Sequence, residues 1–331
     1  MPSAIGQRIA TALTDRKVSA QEVTELITAA KAEKKFTPEL KSEIQALLTQ
    51  HADAFEPAAR SALQAFVDAT PVRRDLADPA VLDKHSTSVA WNPVGSGGSL
   101  YVDGISFDDV IQGSIANCYM VSAFSALAEA NPDTIKNAIT DNGDGTYTVR
   151  FFEKDAYGGF KPVKVTVDSD LATEFGTTNK YAKARDANEQ WVTILEKAYA
   201  QWKGGYEAIG NGGRAGDVFE ALTGKRASWT STSYSTAERI YSSIATAIAA
   251  HKPVTAGTHG KDSGVDYTGT GVYAWHAYTV LGASEENGTK YIELRNPWGR
   301  SEHGNDGKDD GIFKMKLDDF MKLYNSVYLG G

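Results

Sequence analysis

The sequence predicts an α+β protein in which an all-helical N-terminal domain, residues 1–80, precedes a larger mixed domain, residues 81–331. Three observations lead there. Apolar residues recur at helical spacing up to Val67, prolines and charges break that period between Pro71 and Pro79, and turn-bounded strand-like runs dominate the last third. The 331 residues are 41% hydrophobic and 23% charged, enough apolar material for a sizeable core, which excludes disorder as the dominant state. The 31 glycines follow no collagen period, and 10% aromatics suit a packed, partly β domain.

The helices come first. Ser19-Ala20-Gln21-Glu22 reads as a capping box ahead of Val23, Leu26, Ile27 and Ala30, one face of a helix. Thr37-Pro38 places an N-cap before a proline at the first helical position, with Leu40, Ile44, Leu47 and Leu48 as the stripe. Pro57 opens a third helix carrying Leu63, Phe66 and Val67. Beyond the connector, Val94 to Val102 reads as extended and glycine-rich, and 118–130 as a helix ended by Asn131-Pro132. Strands follow at 147–153, entered through the turn 141–145, and at 163–167. Helices are predicted at 191–202, 216–224 and 236–250, then strands at 276–281, 291–295 and 312–315. No internal repeat is seen.

Charge and cysteine usage narrow the function. The net charge is −8 with no Lys/Arg block, so nucleic acid and anionic membranes are poor partners. A single cysteine excludes an internal disulfide framework and agrees with a reducing compartment. The first residues lack a basic segment followed by an apolar run, and no stretch nears the ~18 apolar residues of a membrane span. A cytoplasmic location is the expectation, with non-classical secretion as the other route.

A lone cysteine is commonly an inert core residue, but Cys118 opens a predicted helix, where free N–H groups and the helix dipole favour thiolate. A thiolate needs a partner that takes a proton and returns it to a leaving amine, the natural work of histidine. His51 and His85 lie outside the strand-rich part, and His251, His259 and His303 sit at a helix end or in glycine-rich loops. His276 instead starts the apolar run Ala277-Tyr278-Thr279-Val280-Leu281, which would hold it rigidly. Asn296 closes the next strand twenty residues on, room for a hairpin to return it beside His276. Cys, His and Asn in this order are one way to build an activated sulfur nucleophile.

The segment Gln112-Gly113-Ser114-Ile115-Ala116-Asn117-Cys118-Tyr119 resembles the active-site segment of calpains, which are papain-like cysteine proteases. The likeness continues at Trp191 to Ala200, Gly205-Tyr206-Glu207-Ala208, His276 to Val280, and Arg295-Asn296-Pro297-Trp298-Gly299, covering most of 95–329. It implies a papain-like fold of two half-domains, about 81–225 with Cys118 and about 226–331 with His276 and Asn296. The roles implied are Cys118 as nucleophile, His276 as general base and acid, Asn296 as its orienter, and Gln112 with the Cys118 N–H as oxyanion hole. Trp298 would shield the His–Asn bond. Gly212 and Gly213 would line the substrate cleft, and the dinucleotide-like run Gly210–Gly216 is otherwise discounted because it follows a helix rather than a strand.

Calpain cores are calcium-switched, and the resemblance extends to ligands. Val102 and Gly104 would offer carbonyls, Asp109 and Glu189 carboxylates, an oxygen-only set suited to Ca²⁺. A solvated turn beside an ordinary helix-start glutamate is the other reading. Glu302 and Asp310 match a second site in which Ile312 replaces a further carboxylate, so the loop 304–311 also reads as a plain hydrophilic turn. Two departures bear on the cleft: Trp275 stands where calpains have glycine, and Tyr119 replaces a tryptophan. The likeness is to the bare bacterial-type core, without C-terminal regulatory domains, so no EF-hand partner is implied. The expectation is a calcium-regulated cysteine endopeptidase acting on protein or peptide substrates. An acyl-transferring ligase or a non-catalytic binding module are the alternatives. The N-terminal helices would serve as an inhibitory prosegment, a partner-docking module or a folding aid, with intramolecular regulation the expectation and Arg73-Arg74 an exposed cleavage point.

Overall fold

The computed structural model describes residues 7–9, 11, 13–14, 17–32, 36–92, 98–175, 178–304 and 306–331. The first four residues of the segment expected to be extended from Val94 to Val102, and Asn305 of the acidic loop, lie outside the described residues. The chain divides into two compact units, one of residues 1–77 with 141–147 and 168–170, the other of 78–140, 148–167 and 171–331.

The first unit is built on helices α1 (Ala20–Ala32), α2 (Pro38–Gln50) and α3 (Pro57–Ala69). The capping box forms, with Ser19 N–H donating to Glu22 Oε2 at 2.9 Å and Glu22 N–H to Ser19 Oγ at 3.3 Å. Thr37 caps α2 through its hydroxyl, which accepts from Leu40 N–H. Val23, Leu26, Ile44, Leu47, Leu63 and Val67 share one buried core, so the apolar stripes read from the sequence face each other. The segment after α3 carries no regular structure but is tied down. Arg74 N–H donates to Asp144 O at 2.8 Å, its side chain pairs with the Asp144 carboxylate at 3.1 Å, and Leu76 N–H donates to Asp168 Oδ2 at 2.8 Å. Arg73 is half-buried with its N–H bonded to Phe36 O, while Arg74 is exposed.

In the second unit, helix α4 (Cys118–Ala130) is apolar nearly all round and almost wholly buried, as a central helix must be. Beside it lie α5 (Trp191–Lys203), whose Glu196 accepts from Asn117, and α6 (Ala215–Thr223), while α7 (Ala237–Ala249) packs on the strand-rich half. The strand-rich half is one antiparallel sheet of six strands: β1 (Ser228–Ser231), β2 (Val254–Thr258), β3 (Ala277–Glu286), β4 (Thr289–Arg295), β5 (Ile312–Lys316) and β6 (Tyr324–Leu329). Their spatial order is β5-β4-β3-β2-β6-β1, and α4 packs on β2 and β3. Helices α4 to α6 beside this sheet, with α7 packed on it in the core that holds Tyr278 and Val280, make the α+β arrangement expected of a papain-like protein. Strand β2 was not foreseen because Val254-Thr255-Ala256-Gly257-Thr258 is small and nearly all buried, without the alternation that marks a half-exposed strand.

The hairpin β3–β4 sets the geometry that follows. Asn287 and Gly288 both take positive φ, the two-residue turn that matches strand twist. From that turn Glu286 pairs with Thr289 and Gly282 with Glu293, but Val280 pairs with Leu294 and Thr279 with Arg295, leaving one extra residue at Leu281. This bulge inverts which face each later residue presents. Continued, the shifted register puts Asn296 opposite Tyr278 and on the same face as His276; without the bulge Asn296 would face the other way.

Candidate active site

Cys118 is the first residue of α4, after Asn117 at the N-cap position. Desolvation pushes its thiol pKa up, opposed by backbone N–H groups of Ala277 first, then Tyr119 and Cys118 itself. The sulfur therefore lies against the peptide that follows His276. A second tie between the same elements is the Thr279 hydroxyl, which donates to Ser122 O of α4 at 2.9 Å.

His276 precedes β3 and is 7% exposed. Its backbone is pinned to β2: its N–H donates to the Thr258 hydroxyl at 2.9 Å, and its carbonyl accepts from Thr258 N–H at 2.9 Å. The ring Nε2 meets Asn296 Oδ1 at 2.9 Å. The amide orientation of Asn296 is fixed twice over, because Oδ1 also accepts from Trp298 N–H at 3.1 Å and Nδ2 donates to Ser301 O at 2.9 Å. Oδ1 is only an acceptor, so Nε2 carries the proton and Nδ1 holds the lone pair available to a thiol. Trp298 covers this pair, its ring centroid 4.6 Å from that of His276. Burial pulls the imidazole pKa down to about 4, with the Asn296 bond opposing. Thiol raised and imidazole lowered describe a neutral pair. The helix-terminus expectation of a ready thiolate is thus corrected: in this conformation desolvation outweighs the dipole.

A cavity of about 200 Å³ is lined by Cys118 and His276 together with Tyr119, Gly212, Gly213 and Trp275. Gly213 passes so close to Tyr119 that a Cβ there would come within 2.4 Å of the ring, so the cleft wall requires glycine. Trp275 adopts φ +56°, an unusual conformation for a bulky residue, with its N–H on His259 O and its indole over Gly260. It remains 68% exposed, a large aromatic held at the cavity. Gln112 is placed differently from the others. Its Nε2 donates to Ile115 O at 2.8 Å, while its N–H donates to Pro297 O at 2.9 Å, linking the Cys118 segment to the residue after Asn296. One hydrogen of Nε2 is thereby used and one is left.

The sequence reading passed over Arg295, the residue before Asn296. Its guanidinium is 0% exposed, donating to Val110 O at 2.8 Å, Asp108 O at 3.2 Å and Ser125 Oγ at 3.4 Å, with the Asp108 carboxylate 3.6 Å away. It joins the end of β4 to α4 and to the segment that carries Asp109 and Gln112. Only its place in the block Arg295–Gly299 marked it beforehand, since burial of a charge is invisible in sequence.

Of the expected cation ligands, Asp109 and Glu189 come together. Glu189 accepts from Val102 N–H at 2.8 Å, and Asp109 accepts from Ser106 N–H at 2.7 Å and Trp191 Nε1 at 3.2 Å. Burial pushes Glu189 up to about 7; the Val102 N–H opposes this, while Asp109, which shares a hydrogen bond with it, and Asp186 add to it. Asp103 and Gly104 reverse the chain at positive φ beside them. Two crowded carboxyls in an oxygen-only set fit a divalent cation, which would relieve their repulsion. In the second set Glu302 accepts from Gly311 N–H and Asp310 from Ile312 N–H. Burial pushes the Glu302 carboxyl up, and both Asp310 and Asp306, the latter not read from the sequence as a ligand, add to it. Among the described residues, the three acids whose oxygens lie close enough to share one ion are Asp75, Asp168 and Asp170 of the first unit.

The family profile described as calpain family cysteine protease matches residues 83–307, well over half of the chain. The chain belongs to the calpain family. Relatives include the calpain-type cysteine protease DEK1 of Zea mays, 29% identical over 261 residues, 70% of this chain and 12% of that protein. The calpain-2 catalytic subunit of Homo sapiens is 27% identical over 277 residues, 74% of this chain and 38% of its own. The calpain core therefore spans only a minor share of these relatives. A digestive procathepsin L2 proteinase from Tenebrio molitor overlaps at a TM-score of 0.26 and 17% identity, too slight to bear on the argument.

Proposed function

We propose that this calpain-family chain is a calcium-regulated cysteine endopeptidase with Cys118, His276 and Asn296 as its triad. The observation that carries the reading is the His276 Nε2–Asn296 Oδ1 bond, oriented from both sides, beside a thiol seated on the Ala277 N–H in one cavity. The Cys118 sulfur attacks a peptide carbonyl carbon as its proton passes to His276 Nδ1. The Cys118 N–H and the remaining Gln112 Nε2 hydrogen stabilise the oxyanion, each such donor worth about 3 kcal/mol of barrier. The imidazolium then protonates the departing amine, and a water, deprotonated by the same nitrogen, releases the acid from the thioester.

An extended peptide would run along Gly212 and Gly213, where backbone is open to hydrogen bonding, with Trp275 contacting its side chains. The neutral resting pair makes closure of the cleft the activating event. Calcium held by Asp109 and Glu189, with carbonyls of Val102 and Gly104, would supply the positive charge that lets both carboxylates ionise together. Glu302 and Asp310 form a weaker second set. The N-terminal helices make up an all-α domain acting as intramolecular regulator, and the location is cytoplasmic. Net charge −8 leaves nucleic acid a poor partner.

The test is casein hydrolysis across a calcium titration, with calcium binding followed by calorimetry. Millimolar calcium should raise activity about tenfold or more over EDTA. Asp109→Asn with Glu189→Gln should remove both the heat and the rise. Equal activity in EDTA would reject the switch, and transfer of acyl groups to an added amine instead of to water would favour a ligase.

A further inference from the structure

Glu196 of α5 is 0% exposed, and among the described residues its carboxylate has no cation as a partner. Burying a carboxylate without a counter-charge is costly, and burial pushes its pKa up to about 8 against the help of two donors. Those donors are informative. Asn117 Nδ2 donates to Oε1 at 2.7 Å, and Ala182 N–H donates to Oε2 at 2.9 Å. Asn117 is the residue before the nucleophile; its own carbonyl accepts from Met120 and Val121 N–H in the first turn of α4. Ala182 lies under the loop 112–117, where Ser114 N–H donates to Lys180 O and Gly113 presses on the Tyr181 backbone so closely that a Cβ would meet it at 2.3 Å. The Thr193 hydroxyl, also on α5, donates to Ala182 O at 3.1 Å, so one helix grips that residue at both ends. An apolar side chain would fill the same space without the cost of burial.

We propose that Glu196 is a positioning residue for the nucleophile: its two oxygens clamp the Asn117 side chain to the Ala182 peptide and so fix the Cys118 turn on the loop that bears Gln112. The proposal rests on the reading of Cys118 as nucleophile. The titratable groups facing Glu196 are the hydroxyls of Tyr119, Tyr181 and Tyr206, all pushed above their ordinary values and neutral near pH 7.

The experiment uses Glu196→Gln, Asn117→Ala and the double variant of the full chain. Glutamine offers one acceptor for two donors, and Asn117→Ala cuts the same tie from the other side. Each single variant should lower kcat for casein about 10- to 100-fold with KM within about threefold, and the double should be no worse than the poorer single. Because Cys118 is the only thiol, its alkylation by iodoacetamide, read as intact mass, reports the same positioning without any peptidase assay. Each variant should slow it about tenfold as the sulfur leaves its backbone donors. A carboxyl whose folded pKa is raised destabilises the fold as pH climbs from the ordinary carboxylate range through that raised value. Glu196→Gln should therefore match or exceed the wild-type Tm above pH 8. Unchanged kcat and alkylation, additive losses in the double variant, or a lowered Tm for Glu196→Gln at alkaline pH would each overturn the proposal. Loss of alkylation control in a chain with no casein activity would retain the clamp and reject the peptidase reading.

Discussion

Casein hydrolysis should fall by roughly 10⁴- to 10⁶-fold when either Cys118 or His276 is replaced by alanine, and the double replacement should be no worse than the single ones. In the proposed mechanism the two groups act as one unit, so removing either would leave only binding and oxyanion stabilisation. Asn296→Ala should cost less, about 10²-fold, because it frees the ring without removing it. Its effect should fall on kcat, since Asn296 is fully buried beneath Trp298 and touches no cavity wall. Steady-state kinetics on a fluorogenic peptide separates these outcomes. Activity in Cys118→Ala within about tenfold of wild type would remove sulfur from the chemistry.

The second large effect is expected at Arg295. Methionine there would fill the volume but leave the Val110 and Asp108 carbonyls without their donor, a loss of about 3–5 kcal/mol in urea unfolding. Burial holds its pKa near 10, with Asp108 the leading opposing influence, so the group is charged at neutral pH and its loss is the loss of a charge-assisted link. Because the same side chain joins β4 to α4 and to the segment bearing Asp109 and Gln112, the variant should also lose activity beyond what its unfolded fraction explains. Lysine should recover part of both, since it reaches fewer acceptors at once. An Arg295→Met variant as stable and as active as wild type would mean that this link carries neither stability nor alignment.

The sequence made some of this legible and hid the rest, for physical reasons. Helices α1 to α3 each bury one face, so their stripes and caps could be read directly from Val23, Leu40 or Leu63 and from Ser19 and Thr37. Cys118, His276 and Asn296 stood out by chemical type and by their place at the ends of periodic segments. What brings the last two onto one face, the extra residue at Leu281, leaves no mark in an apolar run. Strand β2 and the buried Glu196 and Arg295 were equally silent, because full burial erases alternation and because a charge reads as surface until its partners are known. The protonation of Cys118 was misjudged for a related reason: a helix terminus is visible in sequence, and the desolvation that outweighs it is not.

The central claim is that His276 activates Cys118 once the cleft closes. The rate of Cys118 alkylation, followed from mildly acidic to alkaline pH with and without calcium, addresses it directly. Without calcium the rate should climb only through the alkaline range, as befits a thiol pushed up by burial. With calcium a plateau should extend down through neutral pH in the wild type, the mark of a thiolate–imidazolium pair, and vanish in His276→Ala. Superimposable profiles for wild type and His276→Ala under both conditions would contradict the account.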